Sequence, residues 1–408
     1  MSEDSEELYK RRRDRISRAV QLKEPDRVPL IESYGYFAAK YTGMTSHEFL
    51  YDYDKAREAV VKTAVDFGYD TGGGMNSLGA LPLTLAFIGE YDGLAPSFVN
   101  GPIHDILGLR YARFPGRELP LDSPFQFIGE EYMKADEYGQ LIDDPKRFIA
   151  EKLLPRSLRS LENPGSAKAM SALFRWGVEY RRSLDASSML RQELRRHGFT
   201  GFTEGMSYAP LDFIGDFMRD LKNVLLDCYR QPDKVKQAAE AVKGLIVEMA
   251  RISARSSPPG TIQFIPLHLN EYFSPKQYNE FYWPTLKEVI NELIRLGITP
   301  EVFYEGQHNA HLETILELPK GKTISRFEKT DLSKAKRLIG DHSCIVGGPP
   351  PSLFLTTPAK VEAYVKDLFG EVKQGGGFIL SPAVPIPPSS KPENVKALMD
   401  AVKKYGAY

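Results

Sequence analysis

From residue 262 onward, short apolar runs alternate with helical patterns, and no other feature of the chain constrains its fold as much. Strand-like runs occur at IQFIPL (from Ile262), ITPEVFY (from Ile298), TISRF (from Thr323), CIVGG (from Cys344) and GFILS (from Gly377). Helical patterns follow near 274–296, 308–318, 331–339, 358–373 and 391–404, and another precedes the first strand at about 232–255. Short strands separated by helices require crossover connections, so their neighbours pair in parallel. Five such units, with at least two less regular ones earlier, predict a closed (β/α)8 TIM barrel. No G-x-G-x-x-G follows a strand and opens a helix, which argues against an open dinucleotide-binding sheet.

The first half is less regular. Residues 1 to about 24 read as a charged helix stopped by Pro25. Its Arg11, Arg12, Arg13, Arg15 and Arg18 are interleaved with acids, which predicts a solvated helix face rather than a basic patch. RVPLIES (Arg27 to Ser33) reads as a short buried strand, followed by a helix near 55–67 and the turn Gly72-Gly73-Gly74. Residues 80–200 form an excursion, rich in Pro and Gly to about 165 and then a long helix from about 166 to 197. The expected organisation is one barrel domain over 1–408 with an N-terminal helical extension.

Composition excludes several classes of function. Lys+Arg 53 against Asp+Glu 54 leaves a net charge of −1, with no bulk electrostatic drive toward nucleic acid or an anionic membrane. The two cysteines, Cys228 and Cys344, cannot build a disulfide framework and fit a reducing compartment. No apolar run approaches the roughly 20 residues that cross a bilayer. A cytoplasmic protein without nucleic-acid or membrane partners is expected.

In such barrels the chemistry sits where strands end and the following loops begin. The richest of these junctions is EVFYEGQHNAHLE (Glu301 to Glu313), which places Glu305 at a strand tip, a turn at Gly306 and His308 and His311 on the next helix. A carboxylate with one or two imidazoles can bind a metal or do acid–base work; a dipole-compensating glutamate with surface histidines is the plainer alternative. At PLHLNEYFSP (Pro266 to Pro275), His268 ends a strand, and Ser274 caps a helix with Pro275 at its first position. Met206 and Tyr208, in GFTEGMSYAPLDFIGDFMRD, are candidates for an apolar pocket, as are Tyr34, Tyr36 and Phe303. Arg326 could hold a carboxylate bidentately or make a structural ion pair. No G-x-S-x-G, H-E-x-x-H or P-loop pattern is present.

Four segments carry a family resemblance: LKEPDRVPL, DFMRDLKNVLLDCYRQPDKV, FSPKQYNEFYWPTLKEVI and GGGFILSPAVPIPPSSKPENVKALMDAVKKYG. They resemble the uroporphyrinogen decarboxylase superfamily, nearly end to end and most clearly from residue 201. The resemblance implies a (β/α)8 barrel and either tetrapyrrole decarboxylation or cobalamin-dependent methyl transfer, as in methanol, methylamine and methoxylated-aromatic metabolism. Two departures bear on the choice. Where the decarboxylase carries an arginine-rich motif after its first strand, this chain reads IESYGYFAAKYTG (Ile31 to Gly43), with only Lys40 as a cation. Where the zinc methyltransferases carry His-x-Cys-Gly and Pro-Gly-Cys-Gly, it reads Phe303-Tyr304-Glu305-Gly306 and Pro382-Ala383-Val384-Pro385. Both departures argue against the tetrapyrrole substrate and against thiol-activating zinc chemistry, although zinc is left open.

The resemblance thus implies a corrinoid-linked methyltransferase that moves a methyl group between a small substrate, such as a methoxylated aromatic, and a cobalamin on a partner corrinoid protein, an O-demethylation. Glu305, His308 and His268 are the expected catalytic residues, gathered around one cavity, and Glu305→Gln is expected to abolish turnover. A lyase decarboxylating a smaller acid through Arg326 or Lys40, or a non-catalytic corrinoid- or tetrapyrrole-binding protein, is the alternative. A homodimer is compatible with either reading.

Overall fold

The computed structural model describes residues 3–75, 77–94, 96–255 and 257–408. The chain forms two compact units that do not follow chain order. One gathers Met1–Asn76, Leu184–Glu204 and Glu301–Tyr408, the other Ser77–Ser183 and Gly205–Pro300.

In the first unit the strands Thr299–Tyr304, Ile324–Phe327, Cys344–Gly347 and Phe378–Leu380 pair in parallel in chain order. Phe303 lies opposite Arg326, Arg326 opposite Val346, and Val346 opposite Ile379. Side chains alternate across the strands, so Glu301, Phe303 and Arg326 share one face while Val302, Tyr304 and Phe327 share the other. Helices Leu332–Ile339, Pro358–Val372 and Pro392–Tyr405 follow at the expected positions. RVPLIES does not build a full strand. It makes a parallel bridge at Leu30 to Leu380 and an antiparallel one at Arg27 to Ala407, because Pro29 has no N–H to extend a ladder.

Two further expectations in this unit are corrected. The helix expected over 308–318 is a turn followed by a 3-10 helix, Leu312–Glu317. Gly306 turns the chain at φ +63, the His308 N–H is taken by the Thr330 hydroxyl at 3.0 Å, and the His311 N–H closes back on the His308 carbonyl at 3.0 Å. The N-terminal helix is Glu3–Val20, its first two expected residues lying outside the described ones. Its arginines are not all solvated. Arg12 is buried over Phe199 with its guanidinium on the Gly198 carbonyl, and Arg15 is buried against Asp70 and Asp26. The charge run conceals a docking face because acids that match it lie far away in sequence.

In the second unit Gly205–Met206 pairs in parallel with Ile262–Leu267. Helix Pro232–Arg255 packs beside the helix Trp283–Arg295. The excursion is a set of short helices with two small antiparallel pairs, Leu78–Gly79 with Phe98–Val99 and Ala112–Arg113 with Gln126–Phe127; residue 95 within it lies outside the described residues. It ends in the long helix Ala167–Arg196. The helix expected over 274–296 is split into Pro275–Gln277, a π-helical turn Tyr278–Tyr282, and Trp283–Arg295. Pro284 cannot donate the backbone hydrogen bond that would continue a regular helix through this point. Among the described residues no helix is long and apolar enough to cross a membrane. The alternation of parallel strands and helices is that of a (β/α)8 barrel with an N-terminal helical extension.

Candidate active site

A dense polar constellation lies in the second unit, around the residue that follows the strand Ile262–Leu267. His268 is 28% exposed, and its Nδ1 is 2.6 Å from Oδ2 of Asp216, a side chain almost completely buried. The hydroxyl of buried Tyr208 donates to the same Asp216 oxygen at 2.6 Å and lies 3.4 Å from His268 Nδ1. One carboxylate oxygen thus fixes a phenol and an imidazole together. With Nδ1 turned to Asp216, proton exchange by the imidazole is left to Nε2.

A second carboxylate holds the backbone of the same loop. Asp212 accepts the His268 N–H on Oδ2 and the Leu269 N–H on Oδ1, both at 3.0 Å, and the Tyr282 hydroxyl on Oδ2 at 2.5 Å. Burial, reinforced by the Asp216 charge, pushes the Asp212 carboxyl up to about 7 against the opposing pull of His268 and its hydrogen bonds. Tyr282 is pushed well above its ordinary range by burial and by Asp212.

Local sequence explains the placement. Asp212 lies in the short helix Pro210–Ile214 and Asp216 in the π-helical turn Gly215–Arg219, four residues on, so both carboxylates face the same loop. Gly215 permits the approach: a Cβ there would sit 3.2 Å from Leu269 Cδ1. The turn ends at Asp220, a non-glycine residue held at φ +67. Arg219, bonded through Nε to Asp227 at 2.7 Å and through Nη1 to the Met133 carbonyl at 2.6 Å, anchors that end. Ser274 caps the next helix through Gln277 with Pro275 at its start, as the sequence indicates. Phe217 lines the same side, 5.9 Å from Tyr208, 5.4 Å from Tyr111 and 5.6 Å from Phe127 between ring centres.

The other expected residues are distributed as follows. Met206 is half-buried in its strand, its sulfur close to Gly79. Glu305 and His308 belong to the first unit. Glu305 follows the strand Thr299–Tyr304 with a half-buried side chain. His308 is fully buried and packs against Tyr304 with ring centres 4.1 Å apart and tilted, on the face opposite Phe303 and Arg326, so the turn at Gly306 carries it into packing instead of back over the strand tip. Burial holds His308 far below its ordinary range, so it stays neutral. Tyr34 is a core residue against Tyr69 and Phe67 rather than a pocket wall, and Tyr36 lies against Phe49. Phe303 is buried, with the Arg326 guanidinium 6.0 Å above its ring, and Arg326 itself pairs with Glu301 at 2.7 Å. Asp212, Asp216 and Tyr282 were not singled out from sequence. The one available signal was the pair of acids spaced i, i+4 within an otherwise apolar segment.

A model of the uroporphyrinogen decarboxylase (URO-D) family matches residues 157–405, more than half of the chain. Among curated proteins, a uroporphyrinogen decarboxylase of Coxiella burnetii is 23% identical over 307 residues, spanning 71% of this chain and 79% of that protein. One from Pseudoalteromonas atlantica is 31% identical over 138 residues, 33% of this chain and 38% of that protein. Among solved structures, a methyltransferase from Methanosarcina mazei superposes with a TM-score of 0.63 at 16% identity, covering 96% of this chain and 98% of that one.

Proposed function

From the premise that the chain belongs to the uroporphyrinogen decarboxylase family, we propose that it transfers a methyl group from the oxygen of a small methoxylated substrate to a corrinoid carried by a partner protein. The observation that carries this reading is the Tyr208–Asp216–His268 hydrogen-bonded set, which presents a histidine whose tautomer and orientation are fixed. Breaking a methyl–oxygen bond leaves an electron pair on oxygen, and a positioned acid lowers that barrier by supplying the proton. In this role His268 donates from Nε2, Asp216 stabilises the imidazolium while it is present, and Tyr208 keeps Asp216 in place. Asp212 fixes the loop that aims the ring. The buried rings of Tyr208, Phe217 and Tyr111 provide the water-poor surroundings such a transfer needs. The corrinoid supplies the nucleophile that takes up the methyl group.

Zinc does not fit the residues present. The positions of its usual ligands hold Phe303, Glu305 and Val384, and among the described residues no group of three His, Cys, Asp or Glu side chains is arranged to hold a metal ion. No step is routed through zinc.

Decarboxylation is the second reading, favoured by the names of the curated relatives. The same acid could protonate the carbon that loses carbon dioxide. The two are separated by incubating the purified protein anaerobically with reduced free cobalamin and a panel of methoxylated aromatics, and in parallel with uroporphyrinogen. Hydroxylated products that require cobalamin support methyl transfer. Carbon dioxide released from uroporphyrinogen, with the ethers untouched, refutes it.

A further inference from the structure

A buried phenol beside the His268 constellation lacks a partner. Tyr111 immediately precedes Ala112–Arg113, the strand that pairs with Gln126–Phe127, and its carbonyl accepts the Ile128 N–H at 2.8 Å. Its ring is fully buried and stands at 89° to Phe217 with centres 5.4 Å apart, while Phe127, 36% exposed, packs on it at 5.9 Å. Phe217 follows Asp216 in the π-helical turn and lies 5.9 Å from Tyr208, which shares the Asp216 carboxylate with His268. Two rings thus connect Tyr111 to the proposed acid. Neighbouring phenols are bonded, Tyr208 to Asp216 at 2.6 Å and Tyr132 to Glu130 at 3.0 Å. The Tyr111 hydroxyl makes no hydrogen bond among the described residues. A buried hydroxyl in that state costs stability, and phenylalanine would fill the same shape without the cost.

We propose that the Tyr111 hydroxyl donates a hydrogen bond to a second oxygen substituent on the ring of an aromatic methyl ether. This rests on the methyl-transfer reading and narrows its substrate to methoxylated aromatics that carry a further ether or hydroxyl oxygen. Position and chemistry argue together. With the departing oxygen at His268 Nε2, an aryl ring that lies along Tyr208 and Phe217 extends toward Tyr111 over aromatic faces that suit it. Entry is past Phe127, which sits on a two-residue strand exposed at both positions. The hydroxyl is a neutral donor: burial drives the phenol above its ordinary range, and no charged group adds to that shift or opposes it. A carboxylate brought there would meet no counter-charge, whereas an ether or hydroxyl oxygen takes the bond at far smaller desolvation cost. A site whose buried donor is satisfied only when the ligand supplies an acceptor discriminates against ligands that lack one.

Calorimetry with the three dimethoxybenzene isomers and the matching ethylmethoxybenzenes reads this directly. Each pair differs by a methylene in place of the second ether oxygen, so size and shape are kept and only the acceptor is lost. In the wild type at least one dimethoxybenzene should bind more tightly than its ethyl counterpart. Tyr111→Phe should remove that preference, changing the ratio of the two affinities about 5- to 100-fold, the range for pairing an otherwise unsatisfied buried donor. The same variant should unfold at a temperature no lower than the wild type, because it loses an unpaired hydroxyl and keeps the ring. Equal affinity within every pair, no binding of any of these ethers, or a preference that persists in Tyr111→Phe overturns the proposal. A lowered unfolding temperature in Tyr111→Phe also overturns it, since the hydroxyl would then serve the fold. Binding is read apart from turnover: ethers bound with this preference but never demethylated would count against methyl transfer alone. Demethylation of both members of every pair at equal KM would count against this site alone.

Discussion

Replacing His268 with Gln removes a titratable nitrogen while keeping a hydrogen-bonding side chain, so it isolates the proton from the packing. Turnover should fall about 10²–10⁴-fold, the usual contribution of general acid–base catalysis, with the thermal unfolding profile unchanged. Asp216→Asn should give a loss of similar order, because an amide cannot stabilise the imidazolium as a carboxylate does. Near wild-type rates in both variants would move the chemistry away from this loop, and Glu305→Gln assayed beside them would then be the next candidate to read. At this scale the sequence was half legible. A histidine at a strand end stands out from pattern alone, as does the Ser274–Pro275 helix start. Its carboxylate partners do not, since 52 residues separate Asp216 from His268 and only the folded chain joins them. His308 shows the opposite failure: a histidine beside a glycine turn looks available, but its depth against Tyr304 cannot be read from spacing.

Secondary-structure elements were legible where period and length agree, and less so where a local irregularity builds the site. The five strand runs and the helix Pro232–Arg255 follow directly from apolar periodicity. The two π-helical turns, Gly215–Arg219 and Tyr278–Tyr282, carry Asp216 and Tyr282 and have no period of their own. Asp212 joins them, and Asp212→Asn should cost about 1–3 kcal/mol in urea unfolding, because an amide cannot accept from the Leu269 N–H and the His268 N–H on separate oxygens. Its pH dependence has a definite sign. A carboxyl raised to about 7 in the folded protein gives a stabilising contribution that is complete below the ordinary carboxylate range, about 4, and is lost as the pH rises through 7. That slope should disappear in Asp212→Asn; its persistence would assign it elsewhere. The N-terminal helix offers a separate check. Asp70, fully buried, accepts from Arg15, from both terminal nitrogens of Arg27 and from the Leu30 N–H. Asp70→Ala should therefore destabilise by about 3–5 kcal/mol, the cost of leaving buried guanidinium groups without their partner. A loss under 1 kcal/mol would mean the helix is not held through this pair.

For the molecule as a whole, the strand–helix alternation pointed to the fold and the four resembling segments to the family, and both stand. The assignment of chemistry rests instead on one hydrogen-bonded histidine, so the central claim is that His268 protonates the departing oxygen. The most direct measurement compares the demethylation rates of wild type and His268→Gln across a series of methoxylated aromatics whose parent phenols span a wide range of acidity. An acid catalyst matters most when the leaving oxygen is basic and least when it departs readily as an anion. The account predicts a shallow dependence on phenol pKa in the wild type and a steep one in His268→Gln, with the two rates converging for the most acidic phenols. Parallel lines, displaced by a constant factor across the series, would contradict it and reduce His268 to a residue that only shapes the site.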